Sequence, residues 1–272
     1  MPLRFALACT LALSSGLSAN TVNDIDTQSV DWLLSQIGIG EAQQNKKLVE
    51  DSLRKLVAIA PARIETQCAV ARYDFANGES VKANQLLSKI DNGLTKQAPC
   101  VEKLKILSRI EGKDKSLIHE ARLLSRAGRY EQAREIYNKI FKNTYPTLNY
   151  ELEHLSWYGQ DSDQWESVKK GYEKLLKSYS NIAQVEIPYA RHLLRKNPAN
   201  NKAIDILSNY GTNPSFINEV EFIWLAALKS MDLTQNTVEQ YQRYFSVYPF
   251  SSKGKLQYED FQRDFKVRQA LL

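Results

Sequence analysis

The segment Ala121–Phe141, ARLLSRAGRYEQAREIYNKIF, decides the fold of this chain of 272 residues. Gly128 separates two stretches with helical periodicity. The turn between two antiparallel helices needs a residue that tolerates positive φ, and glycine does so. Ala133 is small enough to let the two helices approach closely. Tyr137 and Ile140 lie on one face of the second helix and can fill the space towards a neighbouring helix pair. The segment therefore predicts a unit of two packed antiparallel helices.

The same arrangement recurs along the chain at spacings near 34 residues. Upstream, Gly78 precedes a helix pattern with Ala83, Leu87 and Ile90. This period is typical of tetratricopeptide (TPR) repeats, in which each helix pair buries its apolar face against its neighbours. The sequence predicts an all-α, TPR-like α-solenoid of about six helix pairs over residues 20–272, with a C-terminal capping helix. Apolar residues indicate four further pairs, around Trp32 and Leu53, Leu155 and Tyr172, Tyr189 and Ile206, and Trp224 and Tyr241. The first of these has a predicted turn at Gly38–Gly40. Residues 101–110 indicate an extra helix.

The composition fits this fold and excludes several classes of protein. Apolar residues make up 43% and charged residues 25% of the chain, which is apolar enough to bury a core and unlike a disordered tail. Only 11 glycines and 8 prolines are present, fewer than architectures built from many short strands require. The net charge of +5 comes from basic residues scattered among acidic ones. We therefore expect a solvated helical surface and no nucleic-acid partner.

The first nineteen residues are typical of a secretory signal peptide. A basic start at residues 1–4 precedes an apolar stretch from Phe5 to Leu17, and small residues up to Ala19 offer a cleavage site. The alternative is a buried N-terminal helix. No later window holds eighteen consecutive apolar residues, so we expect no transmembrane segment after cleavage. In a bacterium with two membranes, the mature chain is expected in the periplasm.

Two cysteines, Cys68 and Cys100, remain in the predicted mature chain. An oxidising compartment allows them to form a disulfide that ties consecutive repeats together. The helix pattern places Cys68 in mid-helix and Cys100 at a helix start, an axial offset of about 9 Å. Because a disulfide needs Cα atoms within about 7 Å, two small buried side chains are the alternative.

Three blocks of sequence carry a resemblance to a known family. They are Leu34–Pro61 (LSQIGIGEAQQNKKLVEDSLRKLVAIAP), Glu120–Phe141, and Ile223–Met231 (IWLAALKSM) followed by Tyr241–Pro249 (YQRYFSVYP). In order and spacing they resemble the N-terminal periplasmic TPR region of the C subunit of bacterial cellulose synthase, the outer-membrane cellulose-export protein. That family joins a signal peptide, a long TPR solenoid and a C-terminal β-barrel. Because this sequence stops after about six repeats and lacks the barrel, we expect that it is not itself the export pore.

The sequence offers no pattern for catalysis. His119, His154 and His192 fall in different repeats, and none stands four residues from another histidine or a cysteine, so no convergent set of zinc ligands is indicated. No phosphate-binding glycine loop, nucleophile elbow or HExxH motif occurs. Asp161 and Asp163 begin like a calcium loop, but the required glycine and glutamate do not follow. We therefore predict no enzyme activity, no metal and no cofactor.

A solenoid instead offers a concave surface lined by the first helix of each pair. The register of the central repeat places Arg72, Arg122, Arg126 and Trp157 near that surface. Arginine binds carboxylates through two parallel hydrogen bonds, and tryptophan stacks on a peptide ring or on the apolar face of a sugar. These four residues form the predicted partner-binding groove. The alternatives are that Arg72 and Arg122 are solvated and that Trp157 belongs to the core.

The resemblance and the signal peptide together predict a periplasmic TPR scaffold that supports cellulose or other exopolysaccharide biosynthesis or secretion by binding proteins. The expected partners are polysaccharide synthase or exporter components of the cell envelope, with peptidoglycan or a glucan as candidate polymeric ligands. The alternative function is that of a general envelope TPR protein that binds peptides or assists assembly and has no link to polysaccharide.

Overall fold

The structure is a computed structural model that describes residues 19–93 and 98–271. The predicted signal peptide, residues 1–19, lies outside the described residues except for Ala19, where the first helix begins. Within the described ranges the chain forms fourteen α-helices and no strand. The helices are α1 (Ala19–Ala42), α2 (Lys46–Ile59), α3 (Ile64–Ala76), α4 (Ser80–Gly93), α5 (Pro99–Glu111), α6 (Lys115–Arg126), α7 (Tyr130–Phe141), α8 (Leu148–Tyr158), α9 (Trp165–Ser178), α10 (Ala183–Lys196), α11 (Asn201–Tyr210), α12 (Ile217–Lys229), α13 (Gln235–Val247) and α14 (Ser252–Leu271), with a short 3-10 helix at Ser162–Gln164.

The helices follow the predicted order of pairs. Six pairs run along the chain, namely α1–α2, α3–α4, α6–α7, α8–α9, α10–α11 and α12–α13. Helix α5 stands between the second and third pairs, where the extra helix was predicted, and α14 closes the C-terminal end. The predicted all-α, TPR-like solenoid with its capping helix is therefore confirmed.

The second helix of every pair buries its side chains in one shared register. In α7 a small residue, Ala133, is followed four and seven positions later by Tyr137 and Ile140, and all three are buried. These spacings put the three side chains on one helix face. The corresponding triplets are Val49, Leu53 and Leu56 in α2; Ala83, Leu87 and Ile90 in α4; Val168, Tyr172 and Leu175 in α9; Ala203, Leu207 and the half-buried Tyr210 in α11; and Thr237, Tyr241 and Tyr244 in α13.

The spacing of these triplets shows where the solenoid is interrupted. Their first residues are separated by 34, 50, 35, 35 and 34 positions along the chain. The 50-residue interval contains α5, and this helix divides its apolar side chains between two neighbours. Leu104 and Leu107 join the core around α3 and α4, whereas Ile106 and Ile110 join the core around α6 and α7. Helix α5 therefore acts as a wedge between the second and third pairs.

The turn predicted at Gly38–Gly40 is wrong, because α1 continues through both glycines to Ala42. The chain reverses at residues 43–45, where the Asn45 side chain caps the N-terminus of α2. A Cβ atom at Gly40 would lie 2.8 Å from Val49 Cγ2. Gly40 therefore serves the close approach of α1 and α2, and the chain does not bend there.

In the structure Cys68 and Cys100 form a disulfide, with their Cα atoms 6.0 Å apart. Cys68 is the fifth residue of α3 and Cys100 the second of α5, so the axial offset is three residues, or about 4.5 Å. The offset of about 9 Å expected from sequence is therefore too large, because Cys68 lies in the first half of α3 and not at its middle. The bond joins the second helix pair to the inserted helix α5.

We predict that Tyr137→Ala lowers the free energy of unfolding by about 3–5 kcal/mol, since the side chain is fully buried between Phe141 and Trp157. Lys139→Ala, an exposed change on the same helix, should have an effect within about 0.5 kcal/mol of zero. Urea unfolding followed by circular dichroism measures both. Equal stability of the two variants would contradict the register described above.

We predict that Cys100→Ser lowers the melting temperature of the oxidised protein, because the bond closes a loop of 32 positions and such a constraint contributes about 3 kcal/mol. Reducing agent should lower the melting temperature of the wild-type chain to that of the variant and leave the variant unchanged. Differential scanning calorimetry with and without dithiothreitol tests this. A wild-type transition that is insensitive to the reductant, with the thiols shown to be free by mass spectrometry, would argue against a stabilising bond.

Candidate partner-binding groove

A hollow with a volume of about 640 Å³ lies in the N-terminal half of the array. Helices α1, α3 and α5 form its walls, together with the segment that leads into α8. We call it the N-terminal groove. Its lining includes Leu34, Gly38 and Glu41 of α1, Arg72 and Phe75 of α3, Lys103 and Leu107 of α5, residues 145–151, and Tyr179.

The N-terminal groove is bounded on one side by a contact between distant repeats. Tyr179, which follows α9 in the fourth pair, reaches α1 in the first pair, and a Cβ atom at Gly38 would lie 3.7 Å from its ring. Ala42 belongs to the same apolar core as the C-terminal pairs, and Ile39 packs against that core. Burial raises the pKa of Tyr179. The first and fourth pairs are thus packed against each other through Ile39, Ala42 and Tyr179.

Arg72 lies on the wall of the N-terminal groove, where its Nε donates to Glu41 Oε1 at 2.7 Å. The pair joins α3 to α1, and about a quarter of each side chain is exposed. Further charges around the hollow are of both signs, Lys46 and Lys103 against Glu111 and Glu151. The groove is therefore close to neutral and carries both hydrogen-bond donors and acceptors beside apolar and tyrosine side chains.

Arg122 joins two neighbouring first helices. Its Nε and Nη2 donate to the carboxylate of Glu153 at 3.0 and 3.1 Å, and the hydroxyl of Tyr137 donates to the same carboxylate. The Tyr150 ring centroid lies 5.5 Å from Arg122 Cζ. Burial acts to lower the pKa of Arg122, but the hydrogen bond and charge of Glu153 outweigh it, so the pKa is raised. Arg122 is thus partly buried in an ion pair that holds α6 against α8.

Trp157 does not face the groove as a free stacking surface. It is 6% exposed, and its ring centroid lies 4.3 Å from that of Tyr137 in the core between α7 and α8. The expectation that its indole binds a ligand is therefore corrected, because the register of α8 turns the ring inward. Arg126, the last residue of α6, is exposed and makes no ion pair within the described part of the chain.

A second hollow, which sequence reasoning missed, lies between α6, α8 and α10 and has a volume of about 180 Å³. We call it the central pocket. Arg191 and Arg195 project into it from α10, and Ser125 and Ser156 line it from α6 and α8. Pro188 of α10 also lines it. The spacing of the two arginines, four positions on one helix face, was the available signal.

His192 forms part of the wall of the central pocket. Its Nε2 lies 3.0 Å from the carbonyl oxygen of Trp165, and the Trp165 indole stacks on it with ring centroids 5.1 Å apart. The side chain is buried, and burial lowers the pKa of His192. The imidazole is therefore held neutral, with Nε2 as the protonated nitrogen and donor.

The described residues contain no group of three His, Cys, Asp or Glu side chains that could hold a metal ion. Among the helices between residues 19 and 271, none combines the length and the apolar character needed to cross a membrane.

Comparison with known proteins relates the chain to one group of relatives. It is 24% identical over 228 residues to cellulose synthase operon protein C of Xanthomonas axonopodis pv. citri, a match that covers 82% of this chain. It is 32% identical over 139 residues, half of this chain, to the protein of the same name from Salmonella typhimurium. The matched regions are 15% and 11% of those two relatives, so the chain spans a small part of their length. No family model matches the chain.

Among solved structures, the flexible tandem repeat domain from the C subunit of bacterial cellulose synthase has the same fold. The two structures superpose with a TM-score of 0.59 at 19% identity, over 89% of this chain and 98% of that one. The superposition independently supports the paired-helix architecture and its order. The chain is therefore homologous to a segment of cellulose synthase operon protein C and has the fold of the tandem repeat domain found in the C subunit of cellulose synthase.

Proposed function

We propose that this protein is a periplasmic scaffold that binds protein components of the cellulose or a related exopolysaccharide machinery through its concave face. The observation that carries the proposal is the homology to cellulose synthase operon protein C over 82% of the chain. A solenoid of this kind presents an extended inner surface built from the first helices of its pairs, and such surfaces bind polypeptides.

The chemistry of the N-terminal groove suits a polypeptide ligand. An extended peptide offers alternating donors and acceptors with no net charge, and the groove presents both kinds of group in nearly balanced number. Arg72 and Glu41 are bonded to each other at 2.7 Å, so either can exchange that partner for a polar group of the ligand. Phe75 and Leu107 supply apolar contacts on the same wall. The arrangement favours the binding of a polypeptide.

The proposed compartment rests on two observations. The first nineteen residues have the charge and apolar pattern of a cleaved signal peptide. The Cys68–Cys100 disulfide is of a kind that persists in oxidising compartments and is rare in the cytosol. Both agree with a protein that acts outside the cytoplasmic membrane.

The test is capture of partners from envelope extract of the native bacterium with the mature chain as bait, followed by mass spectrometry. We expect the wild-type chain to recover polysaccharide synthase or exporter components. Arg72→Glu, which places a second carboxylate beside Glu41, should reduce their recovery at least fivefold. Arg54→Glu, the same change at an exposed position on α2, should leave recovery within twofold.

Recovery of none of these components by the wild-type chain would overturn the proposed function. If Arg72→Glu and Arg54→Glu reduce the recovery of these components equally, the N-terminal groove is not the binding site. Cosedimentation of the mature chain with purified cellulose and with peptidoglycan is measured in parallel, because binding to a polymer that persists when the protein partners are absent would replace the protein-scaffold proposal. Fractionation of cells that carry the intact gene measures the compartment, and we expect the periplasm.

A further inference from the structure

The central pocket carries a positive charge that its own lining does not neutralise. Arg191 and Arg195 line it, and no aspartate or glutamate does. Arg191 Nη2 donates to Glu219 at 2.8 Å, but both side chains of that pair are nearly half exposed, where an ion pair is weak. Arg195 Nη1 donates to the carbonyl oxygen of Gly159 at 2.8 Å and forms no ion pair among the described residues. The pocket therefore contains a guanidinium whose remaining donors face no carboxylate.

Arg195 lies at the exposed edge of the central pocket, beside Arg191. Burial lowers the pKa of Arg195, and the neighbouring charge of Arg191 lowers it further. Arginine remains protonated in proteins, so the group keeps its charge despite both effects. Two neighbouring guanidinium groups repel each other, and a bound anion relieves that repulsion through charge-assisted hydrogen bonds.

The shape of the pocket keeps the guanidinium accessible. A Cβ atom at Gly159 would lie 3.2 Å from His192 Nδ1, so a larger residue there would crowd the imidazole in the pocket wall, while Arg195 Nη1 lies at an ordinary contact distance of 3.5 Å. Leu155 and Pro188 supply apolar lining, and Ser125 and Ser156 add hydroxyl groups. A volume of about 180 Å³ holds one side chain or one chain terminus and cannot hold a folded segment.

We propose that the central pocket binds a single carboxylate presented by a partner polypeptide, either its C-terminal carboxylate or an Asp or Glu side chain. Arg195 and Arg191 donate to the carboxylate oxygens, and the Ser125 hydroxyl is a further donor, whereas the Ser156 hydroxyl already donates to the carbonyl oxygen of Glu153. The proposal rests on the proposed function in one respect, that the ligands of the concave face are polypeptides. It adds a second contact site, separate from the N-terminal groove and specific for negative charge.

The test uses three synthetic octapeptides of glycine and serine titrated into the ¹⁵N-labelled mature chain. The first ends in a carboxamide, the second in a free carboxylate, and the third ends in a carboxamide and has one central glutamate. Backbone amide shifts of residues 191–195 and of Gly159 report binding. We expect at least one carboxylate peptide to bind at least tenfold more tightly than the neutral peptide, and the ratio between the two identifies the source of the carboxylate.

Variants separate a specific site from general attraction to a basic protein. Arg195→Gln should lower the affinity for the tighter-binding carboxylate peptide at least tenfold. Arg54→Gln, which removes a positive charge from an exposed position, should change that affinity less than twofold. Because Arg195 also bonds to Gly159, thermal melts check that the variant folds. If it does not, Arg191→Gln decides, and we expect it to bind at least threefold more weakly than wild type.

The proposal is overturned if the neutral and carboxylate peptides bind equally. It is also overturned if Arg54→Gln loses as much affinity as Arg195→Gln. If Arg195→Gln does not fold, the proposal is overturned when a folded Arg191→Gln chain binds the carboxylate peptide as tightly as wild type. These outcomes differ from failure of the proposed function. If the chain binds none of the three peptides but recovers synthase or exporter components in the capture experiment, it binds those components through another part of the concave face.

Discussion

The structure depends on the inability of one helix pair to bury its own apolar face. The second helix of each pair therefore presents the same triplet of positions to its neighbours, and in α7 this triplet is Ala133, Tyr137 and Ile140. The first position is small or medium in size, which sets how closely the partner helix approaches, and the next two fill the gap between pairs. Where the approach is closest a glycine is needed, as at Gly171, whose Cβ would lie 2.5 Å from Leu155 Cδ2.

The insertion of α5 departs from this repeat rule at a single place, and the disulfide lies at that place. A lone helix lacks the second helix that would close its repeat, so its apolar residues are shared between the pairs on either side. The Cys68–Cys100 bond fixes α5 to α3, and thereby fixes one side of the wedge. The N-terminal groove is formed by the same helices, α1, α3 and α5. Its shape is thus set by the one part of the array that does not follow the 34-residue period.

The fold was readable from sequence because it is a local and periodic property. Gly78 and Gly128 have φ of +80° and +75°, as turns between antiparallel helices require, and both were identified. Gly38 and Gly40 look the same in sequence but lie inside α1, and of these two only Gly40 stands where a Cβ atom would come too close to a neighbour, Val49. A tertiary contact of this kind is not encoded within a window of a few residues. The prediction that Trp157 lines the groove was wrong for the same reason. A shift of one position around a helix moves an indole from the groove into the core.

The roles of the arginines on the inner face follow from the repeat period itself. Neighbouring first helices place residues about one repeat apart side by side, so an arginine is neutralised when an acid occurs at that separation. Arg72 and Glu41 are 31 positions apart, and Arg122 and Glu153 also 31. Arg195 has an alanine, Ala226, at the corresponding position of the following first helix, and the position 31 residues before it, Gln164, lies in the 3-10 helix beyond α8. Arg195 bonds instead to a backbone carbonyl. In a periodic array, a charged residue that lacks an oppositely charged partner one repeat away can thus be identified from the sequence once the period is known. Arg195 can therefore bond to a ligand without giving up an ion pair between repeats, whereas Arg72 and Arg122 each have such a pair.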